Sequence, residues 1–354
     1  MATARRTRTI RVGVVGVGRG QSFASSATDL VGMKLVALCD LWEERLLEVG
    51  KRYGVATYAD YDRFLEHDMD AVILANYFHE HAPFAIKALA AGKHVLCEKP
   101  MAATLDDAKA MAKAARDSGR ILMIAIHSRY SPQTIAAKKI IDSGALGRVY
   151  YGETISTRRR WIGSGSFARK ETAGGGAVVD IGVYSLDTAL HLLGHPRPKR
   201  VSGTTCMAIT KDPSAQVYGG HSWDVDRTNV EEFGAAWIRF ENGLCITFKT
   251  SWAIHGNSMG RSFFLGEKGG VALGPLEYYG DQFGMMVNVI PQDLPPEEDR
   301  FVLETRDFLE CVRDGRPSPI PPEQVVVTNV IMDALYRSAA ADEEVEVTPW
   351  QDVL

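Results

Sequence analysis

The sequence predicts an α/β fold in two parts: a doubly wound parallel sheet, then an α+β domain built on an antiparallel sheet. Three observations predict it. The first third alternates short apolar runs with helix-period segments. A glycine-rich turn follows the first apolar run directly. Near Gly147 the pattern changes to short segments rich in β-branched and aromatic residues. A chain of 354 residues also exceeds one comfortable core and suits two domains.

In the first part, Ile10–Val15, Lys34–Cys39, Asp70–Ala75, His94–Cys97 and Ile121–Ile126 read as buried strands. Between them, Gln21–Asp29, Leu41–Tyr53, Glu80–Ala91 and the Ala-rich Leu105–Ser118 read as helices. Strands separated by helices of this length imply right-handed crossovers and a parallel sheet covered on both faces. In the second part, Val149–Thr157, Val201–Ile209, Glu232–Phe240, Leu244–Ser251 and Ser262–Leu265 read as strands, with Asn242-Gly243 at a tight hairpin turn. Helices are expected at Asp180–Leu193, Arg300–Arg313 and Glu323–Ala340, and loops at Asp293–Asp299 and Pro317–Pro322. The division falls at 1–128 and 129–354, with helix 323–340 free to pack back toward the first domain. A ligand should sit at the carboxyl ends of the parallel strands, facing the second domain.

A net charge of −4 offers no broad basic surface for nucleic acid or anionic lipid. The apolar segment after the basic start is short and broken by Gly13 and Gly16, unlike a secretory signal, and no stretch reaches membrane-span length. Five cysteines, an odd number without a C-x-x-C pair, fit a reducing cytoplasm. His79 and His81 lack a third ligand at a usual spacing, so no metal site is expected.

The turn after the first strand carries Gly16, Gly18, Arg19, Gly20 and Gln21. Glycines here let backbone N–H groups approach a pyrophosphate at a helix N-terminus. The match to G-x-G-x-x-G is imperfect: Gly16 and Gly18 fit, Gln21 holds the third position, and Gly20 comes one residue early. Asp40 ends the second strand 22 residues after Gly18. Its carboxylate can accept from ribose hydroxyls and repel a 2′-phosphate, favouring NAD over NADP. It could equally cap the following helix. Arg45, one turn into that helix, would weaken the preference.

Two further motifs carry a family resemblance. Gly92-Lys93-His94-Val95-Leu96-Cys97-Glu98-Lys99-Pro100 resembles the AGKHV-x-x-EKP segment of the Gfo/Idh/MocA oxidoreductases, and Gly174–Tyr184 resembles their GGG-x-x-x-D-x-G-x-H/Y block. With the glycine loop, Arg129 and the Phe308–Ile320 segment, the resemblance spans almost the whole chain. It implies a Rossmann domain plus an α+β domain with an open, mostly antiparallel sheet. It also implies a bound NAD, a sugar or polyol substrate, and a homodimer or homotetramer formed through that sheet. Lys99 matches the catalytic lysine, Asp180 the carboxylate and Tyr184 the acid/base position. Asn76-Tyr77-Phe78 replaces the family's T-P-N, His81 matches the histidine after it, and His127 replaces the asparagine of N-x-R.

The resemblance makes Asn76, Tyr77, His81, Glu98 and Lys99 cofactor contacts, and His127, Arg129, Arg158 and Trp161 substrate contacts. Lys99 would stabilise alkoxide character, Tyr184 would exchange the proton with a pKa lowered by a neighbouring ammonium, and Asp180 would accept a substrate hydroxyl. Each has a plainer reading. Lys99 could pair with Glu98, Asp180 could cap its helix, and Tyr184 could be a core aromatic. The Arg158–Arg160 cluster could be a solvated strand end, and His191 and His195 suit a helix end. Hydride transfer at a secondary hydroxyl or carbonyl is the leading expectation. An NAD-dependent glycosidase and a silent NAD-binding regulator are the alternatives.

Overall fold

The computed structural model describes residues 8–216 and 222–350; of the basic start Met1–Arg8, residues 1–7 lie outside them. The first part is a six-stranded parallel sheet of β1 (Ile10–Val15), β2 (Met33–Cys39), β3 (Ala56–Tyr58), β4 (Ala71–Leu74), β5 (His94–Glu98) and β6 (Leu122–Ala125), in order β3-β2-β1-β4-β5-β6. The strand order reverses between β1 and β4, so their carboxyl ends open a crevice there. Helices α1 (Gly20–Asp29), α2 (Glu43–Tyr53), α3 (Tyr61–Leu65), α4 (His81–Ala90) and α5 (Leu105–Ser118) alternate with the strands. Every side chain of β4 is buried, as a strand covered on both faces must be.

A turn at His127–Tyr130 and helix α6 (Pro132–Asp142) lead out of this sheet. The second sheet has nine strands: β7 (Val149–Thr157), β8 (Pro198–Cys206), β9 (Phe233–Phe240), β10 (Cys245–Ser251), β11 (Phe263–Gly266), β12 (Gly269–Ala272), β13 (Glu277–Gln282), β14 (Met285–Val289) and β15 (Val345–Glu346). Their order is β14-β13-β12-β11-β7-β10-β9-β8-β15. All pairs are antiparallel except β10 with β7. Gly243, at φ +82°, closes the expected hairpin between β9 and β10.

Four helices accompany this sheet: the short α7 (Lys170–Ala173), α8 (Val183–Leu192), α9 (Arg300–Asp314) and α10 (Pro322–Ala341). The expected helix from Asp180 is a π turn over Val178–Gly182 that runs into α8. The expected strand from Val201 to Ile209 runs from Pro198 to Cys206 instead. Helix α10 packs against both β8 and α5, and Asn329 donates to the Ala102 carbonyl at 3.1 Å. Helix α9 lies against α1, β1 and β5. The C-terminal helices therefore bind the two sheets together. No helix among the described residues is long and apolar enough to cross a membrane.

Candidate active site

A cleft of about 920 Å³ runs across the carboxyl ends of the parallel strands, within the range of ligand pockets (~300–1,000 Å³). Its floor begins at the glycine turn. Gly16 has φ +91°, and a Cβ there would lie 2.4 Å from the Ala75 carbonyl oxygen. Gly20 opens α1, and a Cβ there would lie 2.8 Å from Val14. Gly20 therefore supplies the close helix–strand packing that the spacing assigned to Gln21. Gly18 lines the cleft, and a Cβ there would meet nothing within 4 Å; its openness has no packing cause. Helix α1 carries no acid in its first turn and no side-chain cap, leaving the dipole-positive end of a 10-residue helix toward the cleft. Gln21 turns away, bonding the Val17 carbonyl at 2.8 Å and Arg52 at 3.0 Å.

Asp40 lines the same cleft. One carboxylate oxygen accepts from Val17 N at 2.7 Å and the other from Trp42 N at 2.8 Å. The carboxylate thus fastens the glycine turn to the end of β2, while spare lone pairs on both oxygens remain. Beyond it, Trp42 is exposed with the Arg45 guanidinium 5.1 Å from its ring centre.

At the other end, Lys99 follows β5 and is 94% buried. Its ammonium donates to the Asp180 carbonyl at 2.7 Å and to Asp180 Oδ1 at 3.0 Å. It lies 4.6 Å from the Tyr184 ring centre and 5.6 Å from that of Phe78. Glu98 instead accepts from the Lys99 backbone N–H at 2.9 Å and faces Arg19 at 3.2 Å. Burial pushes the Glu98 carboxyl up. The plainer pairing of Lys99 with Glu98 therefore does not describe the ammonium.

Asp180 does not cap its helix. Glu231 does: its Oε1 accepts from Gly176 N, Val178 N and the Tyr336 hydroxyl. The triple glycine permits this seat, since a Cβ at Gly176 would lie 2.0 Å from the Glu231 carbonyl oxygen and one at Gly174 2.3 Å from that of Ala103. Asp180 Oδ2 accepts instead from the indole N–H of Trp252 at 3.0 Å, with Arg158 at 3.5 Å. Trp252 is fully buried. Lying just beyond β10, it carried no spacing signal in the sequence.

Tyr184, one turn after Asp180, is half-buried, with its ring 4.5 Å from that of His127. Sequence reasoning expects the ammonium to lower the phenol's pKa. Burial dominates instead and pushes it up. His127 itself is pushed down to about 4, first by burial and then by nearby cations, so it stays neutral.

The other expected contacts divide between the cleft and its supports. His81 is fully buried, bonds the Pro100 carbonyl at 2.8 Å, and is pushed down to about 4 by burial; it tethers the turn carrying Lys99 and does not line the cleft. Arg129 grips Asp187 with two bonds of 2.8 Å in a buried pair, so its guanidinium holds α8, and it does not line the cleft. Asn76 and Tyr77 line the cleft and are both bonded to Glu80. Of the three consecutive arginines only Arg158 reaches the cleft, stacked 4.5 Å over Trp161. Arg159 and Arg160 turn to Asn257 and His255. Phe167, missed by the sequence reading, meets Phe78 edge-on at 5.1 Å and closes that end. His191 and His195 lie beside the Arg129–Asp187 pair.

A family model described as an oxidoreductase family with an NAD-binding Rossmann fold matches residues 10–126, and the GFO/IDH/MocA C-terminal domain matches 134–272. The chain belongs to the Gfo/Idh/MocA oxidoreductase family. Within it, the chain is similar to D-glucoside 3-dehydrogenase of Escherichia coli, at 31% identity over 98% of this chain and 100% of that one. It is also similar to scyllo-inositol 2-dehydrogenase (NAD(+)) of Bacillus subtilis, at 27% identity over 87% of each. Among solved structures, aldose-aldose oxidoreductase from Caulobacter crescentus, complexed with glycerol, superposes with a TM-score of 0.79 at 27% identity, covering 96% of this chain and 100% of that one. Membership in this family makes the chain an oxidoreductase with an NAD-binding domain.

Proposed function

We propose that the protein transfers a hydride between NAD and a secondary hydroxyl or carbonyl of a sugar, glycoside or polyol. The observation that carries this reading is the buried Lys99–Asp180 pair at the end of a dinucleotide-sized cleft. The relatives named for a glucoside 3-dehydrogenase and an inositol 2-dehydrogenase support a ring hydroxyl as the reacting group.

The residues present fit a dinucleotide. Gly18 leaves open space, the α1 N-terminus favours an anion, and Asp40 offers lone pairs to ribose hydroxyls while opposing a 2′-phosphate. NAD supplies the hydride acceptor when bound. An ammonium has three N–H groups. Two of those on Lys99 go to Asp180, leaving the third for the reacting oxygen, where it stabilises alkoxide character. Asp180 balances that charge in a buried setting, where an unpaired ion is costly. The Tyr184 phenol, held protonated by burial, donates to a carbonyl oxygen in reduction. In oxidation the reverse step starts from the Tyr184 phenolate: the phenol first releases its proton to solvent and then takes the one from the substrate hydroxyl. Arg158 and Trp161 supply a guanidinium and an aromatic face for the remaining hydroxyls.

A cytoplasmic setting is supported by five cysteines with no disulfide. Assembly into a homodimer or homotetramer through the second sheet is supported by exposed Tyr150 and Trp237 on its strands. The deciding experiment screens sugars, glycosides and polyols for stoichiometric NADH formation while following aglycone release. NADH accumulation is expected; aglycone release without NADH would move the protein to the glycosidase reading.

A further inference from the structure

Tyr184 stands beside the cleft residue Lys99 and also lines a second cavity. One face of its ring lies against the Lys99 ammonium, while the residue also lines a space of about 220 Å³ between α8 and the second sheet. The two spaces share their framing elements. Asp180 and Arg158 line the first; one turn along the helix and two residues back along the strand, Tyr184 and Ser156 line the second.

The lining of this cavity has a definite chemistry. The hydroxyls of Tyr184 and Ser156 have no hydrogen-bond partner among the described residues. The Ser128 hydroxyl accepts from Thr188 at 3.0 Å and the Ser262 hydroxyl accepts from Ile155 N at 3.0 Å. Each of these two keeps an O–H to donate. Phe264 and Leu273 add apolar wall, and among the described residues no charged side chain lines the space. Hydroxyl donors and acceptors beside a C–H surface match a polyhydroxylated ring or a small uncharged aglycone. A phosphate or carboxylate would find no cation there.

We propose that this cavity is a second subsite, holding the uncharged group attached to the sugar ring that reacts at Lys99 and Tyr184, and that the preferred substrates are neutral glycosides over free monosaccharides. The proposal rests on the dehydrogenase reading above and narrows it.

The test compares NAD-linked oxidation of a monosaccharide, its neutral glycoside and disaccharide, and a glycoside phosphorylated on the aglycone. In the wild-type protein, kcat/KM for the neutral glycoside or disaccharide should exceed that for the monosaccharide at least tenfold, with the phosphorylated form poorest. Ser156→Leu, which fills the cavity and removes a hydroxyl, should collapse that ratio about tenfold. A wild-type preference for the free monosaccharide, or a ratio unmoved in Ser156→Leu, would overturn the subsite. The wild-type comparison stands even if the variant fails to fold. Absence of NADH with every compound would instead overturn the dehydrogenase reading.

Discussion

The indole N–H of Trp252 donates to Asp180 Oδ2 at 3.0 Å while Lys99 donates to Oδ1 at 3.0 Å. One carboxylate is thus held from both sides, by the second sheet and by the end of a parallel strand. Trp252 also meets Trp161 edge-on, with ring centres 5.4 Å apart, so the loop carrying Arg158 and the Lys99–Asp180 pair share one support.

Trp252→Phe keeps an aromatic side chain, though a smaller one, and removes the donor. A hydrogen bond to a charged group is worth about 1.5–3 kcal/mol, so kcat should fall roughly tenfold or more with NAD affinity little changed. In a double-mutant cycle with Asp180→Asn the losses should be non-additive, because both act through one carboxylate. Additive losses would place Trp252 outside this network.

Lys99→Ala removes the donor to the reacting oxygen. Turnover should fall by roughly 10²–10⁴, while NAD binding, measured by calorimetry, stays near wild type. Wild-type-like turnover would remove the mechanism.

Asp40→Ala should relax the preference for NAD over NADP, read as the ratio of the two dissociation constants. It also strips an acceptor from Val17 N and Trp42 N, so a stability loss of about 1 kcal/mol or more should accompany the change. An unchanged cofactor ratio would reject the ribose role.

Arg129→Met leaves Asp187 buried without its partner. Breaking such a pair from one side destabilises by about 3–5 kcal/mol, which chemical denaturation would read. A raised KM with unchanged stability would return Arg129 to the substrate.

His81 should remain neutral until the pH approaches 4. Its folded value lies below the ordinary 6.5, so the unfolded chain binds more protons between those values. Its contribution to stability is complete above about pH 6.5 and is lost as the pH falls toward 4. Glu98, Glu231 and Glu304, pushed up by burial, act in the opposite sense. Resonance titration of the His81 ring tests the assignment directly; protonation near pH 6.5 would contradict it.

The sequence by itself determined the two-part architecture, the glycine turn and the motifs holding Lys99, Asp180 and Tyr184. Those features are local: strand and helix periods, turn chemistry and short spacings are written in neighbouring residues. Only the tertiary structure decided which partners those residues meet. Lys99 lies 81 positions from Asp180 and Asp180 72 from Trp252, and no periodicity encodes a contact across that distance. The same limit hid the partner of Arg129, Asp187, 58 positions away. It also hid the sign of the Tyr184 shift, because burial is a property of the packed core and cannot be read from a neighbouring charge alone.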